Sequence, residues 1–390
     1  MNCIYCGSIK FHGFESFSKF KTVTSDSKPW QSGFEIGVCG FCGFPQTRVT
    51  EAWKISARKI YRDYFSVNAN QIVGFDRADV TGAKVRNRVD LFAEFVLDEL
   101  STKNGGSVLD YGCGGGKLLR YVSKLRSDLN LFGYDLDDRQ LKNLQNISNF
   151  KHLIVGKLET NLKFDLVFMS HTLEHLTNPI ESLNQIRDLL NNDGILAIAV
   201  PDCSLDPFKL LVADHCSHFS VDTLSTLLTN SGFNIVHIES RLETRECWAV
   251  CKRGMPMQKG KPMQEGKLMV KNLEWLEKSI DWISVVRSDA RKFATEYPFG
   301  IFGTSINALW LFGELELDVN FFVDEDVSRQ GTRLFGRPVL SPSEVVEGSV
   351  VYLPFVPALA TQIALRLERK GVSWLVPPSA GYFTQSLRIG

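Results

Sequence analysis

Apolar and polar residues alternate with two different periods between about residue 85 and residue 250. Short apolar runs of strand length are separated by stretches whose apolar residues recur every three or four positions, as on one face of a helix. This alternation is typical of βαβ units, in which a parallel sheet carries helices on its faces. We predict strands at residues 107–111, 129–135, 153–155, 164–170, 194–201, 233–239 and 247–252. We predict helices at residues 117–124, 139–145, 179–190 and 221–230, and a turn at the Asn-Asp-Gly of residues 192–194.

The βα pattern returns on a smaller scale near the carboxyl end of the chain. The segment GMPMQKGKPMQEGKLM is rich in Gly, Pro, Met and Lys and is typical of a linker. A helical stretch at residues 270–294 follows it, and then the runs FGIFG, LDVNFFVDED and SVVYLP predict further strands. The predicted fold class is therefore α/β, a Rossmann-like core followed by a smaller Rossmann-like unit. The predicted division is 1–55, 56–253, 254–296 as linker and helix, and 297–390.

Composition narrows the possible partners. The 390 residues contain 44 basic and 44 acidic side chains, and this balance argues against nucleic acid as the main partner. No apolar run reaches the roughly 18 residues of a membrane-spanning helix, and the first residues do not resemble a secretory signal. We therefore expect a soluble, cytoplasmic protein that has no membrane partner and acts on a small molecule. The oligomeric state is not predicted.

A glycine-rich turn follows the first predicted strand. In SVLDYGCGGGKLLRYV, Gly112, Gly114 and Gly116 allow the backbone to approach a ligand where a Cβ would collide. Asp110, just before the turn, would repel a dinucleotide's pyrophosphate, but it can bind the cationic amino group of S-adenosylmethionine. Asp135 ends the next strand, where an acidic side chain commonly holds ribose hydroxyls.

Two further elements complete this pattern. The strand FDLVFMS ends at Ser170 and His171, which we expect at the ligand face, and RDLLNNDGILAIAVP supplies a helix and another strand. With these elements in order, residues of about 85–250 resemble a class I S-adenosylmethionine-dependent methyltransferase. The alternative is a glycine turn that only packs a helix against a strand and binds nothing.

Four cysteines near the amino terminus have the spacing of a metal site. Cys3 and Cys6 form one CxxC pair, Cys39 and Cys42 form another, and a glycine follows each pair. Four thiolates satisfy tetrahedral Zn²⁺ and leave no open position, so the predicted zinc is structural and the module resembles a zinc ribbon. Free or redox-active thiols are the alternative.

The order of these parts along the chain resembles the nucleotide-sugar C-methyltransferases, which act on keto-deoxysugars carried by a nucleoside diphosphate. The C-terminal part matches that family as FGIFGTSINALWLF, NFFVDEDVSRQG and GRPVLSPSEVV. The resemblance implies that the third domain helps to hold the sugar nucleotide. It also implies that a base removes the proton beside the ketone before the methyl group is transferred.

The family's base-carrying motif, Tyr-His-Glu-His-x-Ser-Tyr-Phe-Ser, is matched in part by residues 212–220. His215 is retained as the catalytic base and Asp214 as a shortened carboxylate that orients it. Val212 and Ala213 replace the Tyr and the first His. His218 replaces the later Tyr and is a predicted substrate contact. In other class I methyltransferases a similar His-x-x-His-Phe-Ser shapes a cofactor lid, and that alternative stays open.

Three further side chains are candidates for substrate binding or for a structural role. Tyr61 and Tyr64 align loosely with the family's substrate segment, with aromatic packing as the alternative, and we take Tyr64 as a predicted substrate contact. His175 is expected to be a hydrogen-bonded structural histidine.

The sequence leaves the acceptor open. An O- or N-methyltransferase of another sugar or small molecule would use the same cofactor site. A zinc-ribbon enzyme that modifies RNA or protein is a further alternative, against which the neutral charge argues.

Overall fold

The computed structural model describes residues 2–64, 87–99, 105–254 and 266–379, with the side chains of Tyr64 and Glu99 excepted. Most of the predicted linker falls outside these residues. Three regions of regular structure follow one another along the chain. No helix among the described residues is both long enough and apolar enough to cross a membrane.

The amino-terminal region consists of short strands and one long helix. Strands β1, β4 and β5 form an antiparallel sheet, and β2 pairs with β3. The helix was not predicted, although its buried Trp53, Ser56 and Ile60 have helical spacing. The elements are β1 (Phe11–Gly13), β2 (Thr22–Val23), β3 (Pro29–Trp30), β4 (Ile36–Cys39), β5 (Pro45–Thr47) and α1 (Glu51–Tyr64).

A seven-stranded sheet with the order β11-β12-β10-β9-β6-β7-β8 forms the second region. Its strands are parallel except β12, which runs antiparallel to both of its neighbours. Every predicted strand and helix of this region is present, with ends at most four residues from the prediction. The elements are α2 (Arg88–Glu99), β6 (Ser107–Tyr111), α3 (Lys117–Leu125), β7 (Asn130–Asp135), α4 (Leu141–Gln145), β8 (Phe150–Val155), β9 (Phe164–Ser170), α5 (Pro179–Leu189), β10 (Leu190–Pro201), α6 (Val221–Asn230), β11 (Phe233–Arg241) and β12 (Glu246–Arg253).

One local prediction in this region concerns the start of β10. The Asn-Asp-Gly of residues 192–194 was expected to form a turn before a strand, but β10 already begins at Leu190 and runs through these residues. The pairing of β10 with β9 shifts register between Leu190 and Ile195. Residues 191–194 therefore stand opposite the single Asp165, and a Cβ on Gly194 would lie 3.0 Å from the backbone N of Asn191, which is the spacing of the predicted turn.

The third region is a smaller α/β unit, preceded by a long helix. Its six-stranded sheet has the order β15-β16-β14-β13-β17-β18, and every strand except β15 is parallel to its neighbours. The predicted helix at residues 270–294 is confirmed and begins three residues earlier. The elements are α7 (Lys267–Ala294), β13 (Phe299–Phe302), α8 (Ile306–Leu315), β14 (Phe321–Val323), β15 (Arg333–Leu334), β16 (Arg337–Leu340), β17 (Val350–Tyr352), α9 (Pro357–Leu367) and β18 (Ser373–Leu375).

The amino-terminal strands share their core with the carboxyl-terminal unit. Phe20 and Ile36 are buried in the same hydrophobic cluster as Trp282 of α7 and Trp310 of α8. The backbone N–H of Lys21 donates a hydrogen bond of 2.7 Å to the Glu314 carboxylate on α8. Removal of this shared apolar surface from water holds the first and last parts of the chain together.

Candidate active site

The carboxyl ends of three neighbouring parallel strands form the floor of the candidate site. Strand β6 lies between β7 and β9 and pairs with both. Parallel strands end at the same edge of a sheet, so their terminal side chains meet there. Asp110, Asp135 and Ser170, which come from these three strands, all line one cavity. The structure therefore brings these predicted cofactor residues together.

The backbone of the glycine turn after β6 has a conformation that allows a ligand to approach it closely. Gly112 has φ +84° and Gly116 has φ +76°, both in the region that favours glycine. A Cβ on Gly112 would lie 2.4 Å from the Thr172 hydroxyl oxygen, and a Cβ on Gly116 would lie 2.5 Å from Leu144. The N–H of Gly114 donates to an Asp135 carboxylate oxygen over 2.7 Å. The turn therefore forms a backbone-lined cradle at the strand end, into which S-adenosylmethionine fits.

Asp110 and Asp135 have different environments. Burial, followed by the nearby charge of Asp135, raises the pKa of Asp110 to about 8. Asp135 accepts hydrogen bonds from the hydroxyl of Tyr61 over 2.6 Å and from the N–H of Leu136 over 2.7 Å. A cationic amino group beside Asp110 would stabilise its charged form, and Asp135 lies where a ribose would bind. Both side chains fit the predicted cofactor.

His171 is held between two acidic side chains. It has φ +52°, and its Nε2 lies 2.5 Å from Glu246 while its Nδ1 lies 3.3 Å from Glu174. Burial and the charge of Arg88 act to lower the pKa of His171, but the two carboxylates outweigh them and the net pKa is raised. Glu246 was missed because it lies 75 residues from His171 in sequence. Only the position of β12 beside β10 brings the two together.

The predicted pairing of Asp214 with His215 was wrong. The Asp214 carboxylate accepts hydrogen bonds from the N–H of Ser25 over 2.9 Å and from its hydroxyl over 2.6 Å. The same carboxylate lies 3.3 Å from Nδ1 of His175, whose Nδ1 is also 3.0 Å from the Asp214 carbonyl oxygen. Residues 212–216 are not helical, and the Asp214 side chain bonds to Ser25 and lies beside His175. His175 is hydrogen-bonded, as predicted.

The remaining predicted residues differ in their access to the cavity. His215 lines the cavity although only 5% of its surface is exposed, and burial, followed by the charge of His175, lowers its pKa well below the usual value. His218 is fully buried, pairs with the Thr47 hydroxyl over 3.0 Å, and is not among the cavity-lining residues. Burial lowers the pKa of His218 to about 3. The side chain of Tyr64 lies outside the described residues.

The cavity extends from the glycine turn to the carboxyl-terminal unit. Its volume is about 2520 Å³, several times that of a typical small-molecule site. Its far wall includes Gly303, Thr304, Asp324 and Arg329 of the second α/β unit. Arg245, which sequence analysis missed, lies in the turn between β11 and β12 and also lines it. The space can therefore hold two ligands side by side.

The four amino-terminal cysteines come together as predicted. Their Sγ atoms all lie within 4.8 Å of one another, with Cys3 and Cys42 separated by 3.6 Å and Cys6 and Cys39 also by 3.6 Å. Backbone N–H groups point at the sulfurs, including those of Tyr5 and Cys42 over 3.4 and 3.5 Å. Four sulfurs about 2.3 Å from one ion lie roughly 3.8 Å apart, so this cluster fits tetrahedral Zn²⁺.

Comparison with known proteins identifies the second region. Residues 84–238 match the model of a methyltransferase domain family. The chain is similar to the ubiquinone biosynthesis O-methyltransferase of Actinobacillus pleuropneumoniae, with 26% identity over 132 residues, which are 30% of this chain and 56% of that protein. It is also similar to the malonyl-[acyl-carrier protein] O-methyltransferase of Acetivibrio thermocellus, with 28% identity over 149 residues, 36% of this chain and 49% of that protein. The chain thus spans about half the length of these relatives.

A solved structure gives a similar comparison. The 1,6-didemethyltoxoflavin-N1-methyltransferase of Burkholderia thailandensis, solved with bound S-adenosylhomocysteine, matches with a TM-score of 0.42 and 15% identity. The match covers 57% of this chain and 96% of that chain. The match to the methyltransferase domain family over residues 84–238 indicates that this part of the chain is a methyltransferase domain.

Proposed function

We propose that the protein transfers a methyl group from S-adenosylmethionine to a nucleotide-linked keto-sugar, and that His215 assists removal of a proton from this acceptor. The observation that carries the proposal is the single cavity that joins two glycine turns, one after β6 and one after β13. The first turn supports a site for the cofactor. The second supports a site for the nucleotide of the acceptor.

S-adenosylmethionine supplies a methyl group on a positively charged sulfur, which leaves with the electron pair of the broken bond. The protein's task is then to align the acceptor and to help it lose a proton. Asp110 and Asp135 would bind the amino group and the ribose of the cofactor. His215 lines the same cavity, which supports its part in proton removal.

The second glycine turn resembles the first in its construction. Gly303 has φ +89° and follows β13, and α8 begins at Ile306 shortly after it. Asp324 follows β14, the neighbouring strand, and accepts a hydrogen bond of 2.6 Å from the hydroxyl of Thr304. A helix amino terminus suits phosphate, and an acidic residue at the next strand end suits a ribose. These features support a nucleotide site in the carboxyl-terminal unit.

The other predictions extend this proposal. We propose that Cys3, Cys6, Cys39 and Cys42 bind a structural Zn²⁺, supported by the spacing of their sulfurs. None of the nine cysteines, all of which lie among the described residues, forms a disulfide bond, and this supports a reducing compartment and hence a cytoplasmic location. We retain the three predicted domains and the linker and helix at 254–296 as a working division of the chain.

Calorimetric titration with nucleoside diphosphates and diphospho-keto-sugars, in the presence of S-adenosylhomocysteine, tests the substrate class. We expect one sugar nucleotide to bind tightly and Asp324→Asn to weaken it at least about tenfold, with S-adenosylhomocysteine affinity unchanged. Asp318→Asn is the matched control, because Asp318 is exposed in the same unit and is not among the cavity-lining residues. If no sugar nucleotide binds, the proposed substrate class is refuted.

An O-methyltransferase acting on another small molecule is the second candidate. Val212 and Ala213 are buried and are not among the cavity-lining residues, so the two positions that carry Tyr and His in the C-methyltransferase family supply no polar group here. The relatives described above are O-methyltransferases by name. The carbon chemical shift of the transferred methyl group in the product separates a C-methyl from an O-methyl compound.

A further inference from the structure

A buried carboxylate in the cavity wall has no hydrogen-bond partner. Glu174 lies in a short helical turn after β9, and only 1% of its surface is exposed. Neither of its carboxylate oxygens accepts a hydrogen bond. Oε1 forms an ion pair of 3.3 Å with Nδ1 of His171, and Oε2 has no hydrogen-bond partner among the described residues. Burying a carboxylate without such partners is costly, so the site is built for a positively charged group.

Two imidazoles lie beside this carboxylate. The rings of His175 and His215 are 4.7 Å apart and almost perpendicular. Nδ1 of His175 lies 3.0 Å from the carbonyl oxygen of Asp214, and when it donates its proton there, Nε2 carries the free electron pair. Histidines that bind metals characteristically donate their other ring N–H to such an oxygen, which fixes the ring.

We propose that Glu174, His175 and His215 bind one divalent first-row transition-metal ion in the cavity wall. One potential ligand atom of each residue lies within 4.8 Å of those of the other two. Three ligands about 2.0–2.2 Å from one ion lie roughly 3.3–3.8 Å from one another, so side-chain movements of at most about 1 Å suffice. Two imidazoles and one carboxylate suit zinc, iron or manganese and leave coordination positions open.

The position of the ion suggests how His215 acts, and this part of the inference rests on the proposed function. All three ligands line the cavity, so an acceptor oxygen can reach the ion. The ion would draw electron density from that oxygen and lower the pKa of the acceptor's proton, which leaves to water. His215 would then assist proton removal by holding the ion rather than by taking the proton itself.

Cobalt titration of the purified full-length chain, first freed of metal, tests the site. We expect two Co²⁺ per chain. One should show the thiolate charge-transfer bands of the cysteine cluster, and the other should not. Glu174→Gln and His215→Asn should each lower the affinity for the second Co²⁺ at least about 100-fold and leave the thiolate bands intact. His237→Asn is the matched control, because His237 forms a pair of 3.2 Å with Glu239 away from this cluster and should keep both ions.

S-adenosylhomocysteine binding verifies that each variant is folded, since none of the three residues belongs to the glycine turn. The proposed site is refuted if the wild-type chain binds only the Co²⁺ at the cysteine cluster. It is also refuted if both variants still bind the second Co²⁺. Methyl transfer by Glu174→Gln at the wild-type rate would overturn the role of the ion and leave the proposed function standing. Two bound Co²⁺ with no methyl transfer to any sugar nucleotide would leave the metal site standing and contradict the substrate.

Discussion

Replacing Gly112 with alanine should damage the cofactor turn for two separable reasons. The residue has φ +84°, where a side chain costs about 1–2 kcal/mol. The new Cβ would also lie 2.4 Å from Oγ1 and 2.7 Å from Cγ2 of Thr172, and overpacking of this kind costs about 1–3 kcal/mol. We therefore expect Gly112→Ala to lower the free energy of unfolding by roughly 2–5 kcal/mol.

Gly114 provides the matched control in the same turn. It has φ +47°, and a Cβ there would have no atom within 4 Å. Gly114→Ala should therefore show only the conformational cost of about 1–2 kcal/mol. Adding Thr172→Gly to Gly112→Ala removes the overlapping atoms. This double variant should regain about 1–3 kcal/mol once the effect of Thr172→Gly alone is subtracted.

Urea denaturation gives the free energies, and calorimetric titration with S-adenosylhomocysteine gives the affinity. Both variants should bind the ligand more weakly, Gly112→Ala because the overlap displaces the backbone of the cradle and Gly114→Ala because its Cβ would enter the open cavity, so the stabilities and not the affinities separate the two effects. Equal losses of stability in the two variants, or no recovery when Thr172 becomes glycine, would refute the assignment of this turn as a closely packed cradle.

Three other perturbations test the site. Asp110 has a pKa of about 8 when folded against 3.8 in its ordinary state, so folding takes up a proton and the free energy of unfolding falls between about pH 4 and pH 8. Asp110→Asn should remove that fall, so that in urea denaturation the variant is more stable than the wild type at pH 8. The variant should also bind S-adenosylhomocysteine more weakly. The same pH dependence of stability in variant and wild type would contradict this reasoning. Cys6→Ser should lose one zinc equivalent by elemental analysis and lower the melting temperature, and an unchanged zinc content would argue against the cluster. Tyr61→Phe should weaken S-adenosylhomocysteine binding about fivefold by removing the hydrogen bond to Asp135, and an unchanged affinity would exclude a positioning role.

The sequence predicts the central sheet well because each strand there is a short buried run between clear turns. Residues 107–111 and 164–170 were placed without error, since most of the side chains in both strands are buried and apolar. The ends of a strand are predicted less accurately where polar residues lie within it. At residues 191–194 the ladder between β10 and β9 is interrupted, and the inclusion of Leu190 in the strand depends on its pairing with Phe164 and not on the local sequence.

The candidate site is predictable only where its parts are close in sequence or follow strand ends. Asp110 and Asp135 are found in this way because parallel strands bring their ends together. The partners of Asp214 cannot be found in this way, because Ser25 lies 189 residues away and is brought close by the packing of the amino-terminal region. Glu174 likewise reads as an ordinary acidic residue until its complete burial is seen.

The contact between Lys21 and Glu314 has a consequence for synthesis of the chain. The two residues are 293 positions apart, and a ribosome adding about 5–20 residues per second needs roughly 15–60 s to make the intervening segment. During that time Phe20 and its neighbours have no partner from α7 or α8 to cover them. The amino-terminal strands therefore complete their core only after α7 and α8 have been made, and until then these apolar side chains lack that cover.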